Sequence, residues 1–549
     1  MKKIKNILAL SACLLTAGSL TTSCSLDLVP LDNYGSNNYW QNEAHVLGYI
    51  DGMHKHLRDF AWDHTIMLGE IRSGIYVDGT AYDGMSTSYG EWRLNQLTED
   101  KPGFSNFANI FGRITNCNLL LARTPNIDMP QDKKDYCMAI AHGLRAFYYF
   151  DLYRGWGGVP LRTGVEVIDG ELDPNKLYKE RSKPSEIMAL IKDDLKKSLE
   201  LFGDQNGFDV LGKGSKVYWN KAATECLAAE VYMWNAKVTE GDQQATPSDM
   251  AIAKQYLKNV ESNYNLSMLR NFADVFEAKS HKSNSEIIMA IRYAEGEETN
   301  SNGSWLYTTV TGSARQSGYL EDGTKWDDPL GLKNGTNMSM AYSLAMWKQF
   351  DDEDARKRAT FLAQYRYENP ENKEGWHLYG IHTQKNIGYI NSVGERVYCG
   401  DYVLYRLPWV YLALAEVANF EGDNDNVEKY INLVRERSYG ENWDAAKYGY
   451  KASSFTDNEY AILSEKNKEF IQEGQRWWDL RRMQETKGGK HLVFCERAAM
   501  ETNDGLIYPV LEENEAYKVL WPLDKTMLGN DPSLKQNPGY ADPDKCVNW

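Results

Sequence analysis

The chain has 549 residues, 42% of them hydrophobic, with 16 Trp, 35 Tyr and 16 Phe. That is apolar material for about two to four lobes with sizeable cores, and it excludes a disordered chain. A formal charge of −16 without basic clusters argues against electrostatic binding of nucleic acid and suits a soluble face that meets neutral ligands.

The chain opens with Lys2, Lys3 and Lys5, followed by an uncharged stretch of 14 apolar or small residues, Ile7 to Leu20, and then Thr21-Thr22-Ser23 before Cys24. A basic start, a short apolar core and a small-residue cleavage site describe a secretory signal peptide, residues 1–23. The apolar stretch is short of the roughly 20 residues that cross a bilayer as a helix, and charges interrupt every later apolar run. A small residue before a cysteine predicts cleavage by signal peptidase II and acylation of Cys24. Leu10-Ser11-Ala12-Cys13 matches the usual lipobox more closely, but the apolar core runs on past Cys13. The alternative is an ordinary secreted protein cut near Ser23. The other six cysteines, Cys117, Cys137, Cys226, Cys399, Cys495 and Cys546, form no CxxC pair and are expected as buried free thiols.

After a short extended leader, Leu26 to Pro30, helical periodicity predicts a helix over 42–58, whereas 62–103 is rich in Gly, Asp, Ser and Tyr and reads as long loops. Residues 104–123 and 135–154 form a helix pair. On the second, Ile140, Leu144, Phe147, Tyr148 and Leu152 share one face, and Gly155 to Pro160 end it. A further helix begins near Ser182, a plausible cap with Pro184 in the first turn, and carries the stripe Ile187, Leu190, Ile191, Leu195, Ser198, Leu199 and Phe202. Tyr411, Leu414, Ala415 and Ala418 followed by Val427, Ile431 and Val434 match the small-and-large pattern of a tetratricopeptide unit. Leu227 and Ala228, then Ala253, Leu257 and Val260, repeat it. Each such helix pair buries its face only by stacking on a neighbour. Residues 300–340 and 365–400 lose periodicity and read as polar, aromatic loops. The expected fold is therefore mainly α: a helical scaffold with tetratricopeptide-like pairs and long irregular loops.

Several segments resemble the SusD/RagB family. They are Leu26-Asp27 with Pro30 and then Tyr39-Trp40; Ile114 to Asn118; Gly143-Leu144-Arg145-Ala146-Phe147-Tyr148-Tyr149-Phe150 ending at Gly157 to Leu161; Ala222-Ala223 with Leu227 to Tyr232; and Ser285 to Ile288. Lys468-Glu469-Phe470 with Glu473-Gly474-Gln475-Arg476-Trp477-Trp478-Asp479-Leu480-Arg481-Arg482 is the most specific, and Trp521-Pro522-Leu523 and Gln536 to Tyr540 complete the set. Where the family has Arg-Tyr-Ala-Glu, this chain has Arg406-Leu407-Pro408-Trp409, with Pro408 set to bend that helix. The resemblance implies a mainly α, tetratricopeptide-repeat-like scaffold of about four helix pairs, with an N-terminal region over 24–230 and a C-terminal region over 285–549 packed as one body. It also implies a lipid-anchored position on the outer membrane facing the cell exterior, and a SusC-like TonB-dependent transporter as partner. The ligand it implies is a glycan, or in some members a peptide. Arg145, Glu473, Arg476, Asp479 and Arg482 are read as scaffold charges that bridge stacked helices.

No motif points to catalysis. A glycosidase needs two carboxylates flanking the sugar, and none of the acids is singled out for that; Asp351 to Asp354 reads as a solvated loop or helix start. His54 and His56 at i, i+2 do not share a helix face, so no metal site or cofactor is expected, although an Asp-rich loop could hold a structural Ca²⁺. Sugar binding needs flat aromatic faces beside polar groups. The loops offer Trp62, Tyr76, Tyr82, Trp92, Trp305, Tyr307 and Trp326 for stacking, and Arg72, Asp78 and Asp83 for hydrogen bonds.

Overall fold

The computed structural model describes residues 39–78, 89–104, 107–165, 178–212, 216–300, 306, 317–333 and 338–549. Cys24 and the leader lie outside them. Helix α1 spans Glu43–Arg58, and the Asn42 side chain caps it by accepting from the His45 amide at 3.1 Å. Helices α2 (Ala108–Arg123) and α3 (Gln131–Trp156) are the expected pair, with α3 starting one turn earlier than its apolar stripe suggests. From Tyr136 on, α3 is buried on almost every side, because α2, helix α4 (Pro184–Phe202) and helix α5 (Lys221–Lys237) all pack against it. Its aromatic run therefore fills a central position and not merely one inward face.

The start of α4 differs from expectation. Lys183, not Ser182, is the N-cap: the Glu186 carboxylate accepts from the Lys183 amide at 2.9 Å, while the Ser182 amide donates to the Val159 carbonyl. Helices α5 and α6 (Asp249–Asn263) stack as one tetratricopeptide-like unit, and α7 (Leu407–Glu421) and α8 (Asn424–Tyr439) as another; α7 also packs on α6 and on α9 (Phe455–Glu469). Pro408 does not bend α7. It sits in the first turn, where a missing amide proton leaves no acceptor unsatisfied. The run of acids ends at Asp354, whose side chain caps the short helix Ala355–Thr360.

Strands are few and short. Tyr76–Asp78 (β1) pairs antiparallel with Met340–Tyr342 (β3), and Ile287–Ile291 (β2) with Tyr402–Arg406 (β6). Phe361–Arg366 (β4) and His377–Thr383 (β5) form a hairpin whose turn and second strand lie in the stretch 365–400 that reads as loop in sequence. Its strands carry no clean apolar–polar alternation, and the register slips after Gln364, so the period-two signal is absent.

One main apolar cluster draws on residues from Val46 to Leu534. Charges inside it bridge helices. Arg145 on α3 grips Asp194 on α4 through two bonds of 2.8 and 2.7 Å and reaches Asn118 on α2 at 2.7 Å. Arg154 meets Glu230 on α5 at 2.5 Å. On helix α10 (Arg476–Arg482), Arg482 donates twice to Glu416 of α7, which also receives Lys237 of α5 at 3.0 Å. All six described cysteines are buried and free. No helix among the described residues is long and apolar enough to cross a membrane.

Candidate ligand-binding face

The segment that follows α1 dives into the core before it returns to the surface. Phe60, Ala61, Trp62 and Ile66 to Leu68 are buried, and Gly69 lies directly against Gly474 of the Gly474-Gln475-Arg476-Trp477 run, with the Trp477 amide donating to the Gly69 carbonyl at 2.9 Å. The approach is so close that a Cβ on Gly69 would stand 2.2 Å from the Gly474 carbonyl oxygen. Glu70 is sealed beneath it and accepts from Tyr76 Oη at 2.6 Å, Tyr342 Oη at 3.2 Å and the Gly474 amide at 3.2 Å; burial raises its pKa.

This geometry sorts the candidate residues. Arg72 is fully buried, so it cannot meet a surface ligand. Its Nε donates to Asn95 Oδ1 at 2.7 Å, its Nη atoms reach the Lys518 and Val519 carbonyls, and its guanidinium lies between the rings of Trp477 and Trp521. Tyr76 is buried in the Glu70 cluster, Trp62 is buried in the core, and Trp326 has no exposed surface and packs against His382. Correcting the sequence-based selection, these four side chains support the surface from within. Tyr82, Asp83, Trp305 and Tyr307 lie outside the described residues.

Trp92 and Asp78 remain at the surface. The short helix Gly90–Arg93 presents Trp92 half-buried, edge-on to Tyr89 at 5.1 Å and to Trp521 at 5.8 Å. Tyr89 adopts a left-handed conformation (φ 63°) that turns the chain into this helix. Arg93 Nη2 lies 3.7 Å from Asp78 Oδ2, and Leu94 beside them is 62% exposed. Beneath Tyr89, burial pushes the Asp63 carboxyl up to about 6 against the pull of Arg113, and burial together with the Asp63 charge raises the Tyr89 phenol. Sequence reasoning passed over Tyr89 and Arg93. Tyr89 stands three residues before Trp92, a spacing that brings side chains together on a helical turn. The result is a half-buried indole held edge-on by Tyr89 and Trp521, with the side chain of the next residue, Arg93, buried and paired to the more exposed Asp78 carboxylate. Among the described residues no His, Cys, Asp and Glu cluster is arranged to hold a metal ion.

A tetratricopeptide-like helical scaffold carries this face. A sequence profile described as the SusD family matches residues 272–540, and one described as starch-binding, associating with outer membrane, matches residues 50–233. A crystal structure of a SusD superfamily protein from Bacteroides fragilis is 52% identical, with a TM-score of 0.86, and the match covers 92% of this chain and 100% of that one. SusD-like protein P38 of Formosa agariphila is 24% identical over 98% of this chain and its own full length. A laminarin-binding SusD-like protein shares the fold at 19% identity, with a TM-score of 0.65, over 91% of this chain and 100% of that one. The chain belongs to the SusD family.

Proposed function

We propose that this protein captures a neutral glycan at the cell surface, where the lipid on Cys24 would hold it, and passes the glycan to a SusC-like TonB-dependent transporter of the outer membrane. The observation that carries the reading is Trp92. Its ring is half-buried and held edge-on by Trp521 and Tyr89, and the next residue, Arg93, pairs with the Asp78 carboxylate. A pyranose presents C–H bonds on one face and hydroxyls around its rim, and this surface offers the matching aromatic plane and polar border. Tyr82, Asp83, Trp305 and Tyr307 are proposed to complete it. The laminarin-binding neighbour and the starch-binding description of residues 50–233 support a glycan as the ligand class. Isothermal titration of the purified protein against soluble starch, laminarin, xyloglucan and mannan tests this. The expected result is binding to at least one, weakened about tenfold in Trp92→Ala, which is about 1.4 kcal/mol. Binding of a peptide digest with no response to any polysaccharide would overturn it in favour of a peptide ligand. Co-purification of the transporter from outer membranes tests the delivery step.

A further inference from the structure

We propose a second glycan-stacking subsite, centred on Trp376, on the β4–β5 hairpin. It rests on the glycan reading above and adds a position outside the loops that carry Trp92 and Trp305. The register of the hairpin pairs Tyr365 with Leu378 and Arg366 with His377. Continued by one step, it sets Tyr367 opposite Trp376, and because side chains alternate along a strand, Tyr365, Tyr367 and Trp376 share one face. Tyr319 joins them by bridging to Tyr365 on the other edge, with backbone bonds of 2.9 and 2.8 Å. The rings meet as this placement requires. Trp376 lies parallel to Tyr365 within 6° at 5.2 Å, and Tyr367 and Tyr319 approach it at 4.8 and 5.8 Å. Tyr365, Tyr367 and Tyr319 are half-buried, whereas Trp376 is 38% exposed, so the indole is the outermost ring of the stack.

A tryptophan stacked flat on Tyr365 and flanked by the tilted rings of Tyr367 and Tyr319 is fixed in orientation and offers apolar surface to solvent at little further loss of side-chain freedom, which favours stacking. The neighbouring cations are already engaged. Arg358 holds both oxygens of Glu321 at 3.0 Å, Lys325 rests 4.2 Å from the Tyr319 ring centre, and Arg366 lies 3.6 Å from that of Tyr379. The stack itself is built of rings alone, and the Arg358 charge beside it is neutralised by Glu321, so the face complements an uncharged partner with a flat apolar side. A neutral hexopyranose unit of a polysaccharide has that shape, whereas an anionic sugar or a charged peptide would bring a charge to be desolvated against the rings.

The test uses purified protein labelled with 5-fluorotryptophan, the Trp376 fluorine resonance being assigned by its loss in Trp376→Phe. Soluble starch, laminarin, xyloglucan and mannan are titrated in turn. The expected result is a shift of the Trp376 resonance by whichever polysaccharide binds. Trp376→Ala is expected to weaken that binding about tenfold, and Trp376→Tyr to retain most of it. If a polysaccharide binds and is weakened by Trp92→Ala while the Trp376 resonance stays unmoved, the second subsite is overturned and the glycan reading stands. If none of the four binds, the glycan reading falls and the subsite with it. The resonance is read on the unmutated protein, so a folding defect in Trp376→Ala does not decide the outcome.

Discussion

The guanidinium carbon of Arg72 lies 4.5 Å from the ring centre of Trp521, and Trp521 in turn meets Trp92 edge-on at 5.8 Å. A buried cation is thereby linked through one indole to the half-buried indole of the proposed glycan face. Trp477 closes the other side of Arg72 at 4.3 Å. Cation–π contacts strengthen when desolvated, to about 2 kcal/mol or more, and Arg72 has two.

Arg72→Lys is therefore expected to lower stability by about 2–4 kcal/mol, because an ammonium cannot reproduce the planar fork toward Asn95 and the Lys518 and Val519 carbonyls while stacking on both rings. The check is the denaturation midpoint, with glycan affinity measured on the fraction that remains folded. Affinity should fall with Arg72→Lys even though Arg72 touches no ligand, since Trp521 loses its backing. Unchanged stability would refute the sandwich.

The helices were legible in the sequence because their apolar period is strong and their ends carry Asn, Gly and Pro. The Arg145 and Arg482 charges were legible as helix bridges because such residues in aromatic helices need buried partners, whereas Glu473, read the same way, lies in the turn after α9 and pairs with Arg406 at the end of β6 and with Lys385. Which loop aromatics face solvent was not legible. Trp62, Tyr76, Trp92 and Trp326 look alike in sequence, and their exposure is decided by partners far along the chain: Tyr342 for Tyr76, Trp521 for Trp92 and His382 for Trp326. The hairpin that carries Trp376 was hidden for a related reason. It is stabilised by cross-strand rings and by Tyr319, and these leave no alternating pattern within either strand.

Arg406 and Glu473 form a two-pronged pair, Nε and Nη2 each donating at 2.7 Å, and the same carboxylate receives Lys385 at 2.6 Å. Glu469 and Glu286 complete the surroundings of Arg406. Burial alone would raise the Glu469 carboxyl, but Arg437, Arg406 and Arg356 together hold it below its usual range. Removing one partner from such a cluster leaves the other charge buried and uncompensated. Glu473→Gln is expected to cost about 3 kcal/mol, read as a lower urea midpoint with little change in the slope. A loss below about 1 kcal/mol, the size of an exposed pair, would contradict the burial of this network.

Asp63 gives a pH signature. Burial raises its carboxyl from 3.8 to about 6, so the folded state holds the proton more tightly than the unfolded chain does. The contribution is favourable and complete below pH 3.8, and it is lost as pH rises through about 6. At pH 7.5 the ionised carboxylate therefore destabilises the fold. Asp63→Asn should raise stability at pH 7.5 by up to about 2 kcal/mol and give no gain at pH 4. Thermal midpoints of both proteins across that range check it; parallel curves would show that Asp63 ionises freely.

Cys24→Ser tests the anchor. Acylation of Cys24 is expected to appear as incorporation of labelled palmitate into the wild-type protein. The substitution should abolish the label and, with the acyl chains gone, lower the share of the protein in the membrane fraction. Persistent label in Cys24→Ser would move the modification to another residue, Cys13 being the competing lipobox position.

Gly69→Ala tests whether the face depends on the scaffold beneath it. A methyl group at Gly69 would stand 2.2 Å from the Gly474 carbonyl oxygen and 2.6 Å from its carbonyl carbon, both backbone atoms. Gly474 cannot yield easily: its φ is +73°, and its own backbone lies against Thr65, where a Cβ would meet Thr65 Cα at 2.8 Å. Relief must come from parting the segment after α1 from the Gly474 turn, which also stretches the bond from the Trp477 amide to the Gly69 carbonyl and the bond from the Gly474 amide to Glu70. Trp477 forms one wall of the Arg72 sandwich, so the displacement passes toward Trp521 and Trp92. Overpacking of this kind costs about 1–3 kcal/mol, and the expected outcome is a midpoint loss of that order together with weaker glycan binding. Gly52→Ala, on an exposed turn of α1 where an added Cβ meets nothing within 4 Å, should be neutral or slightly stabilising in the same assays.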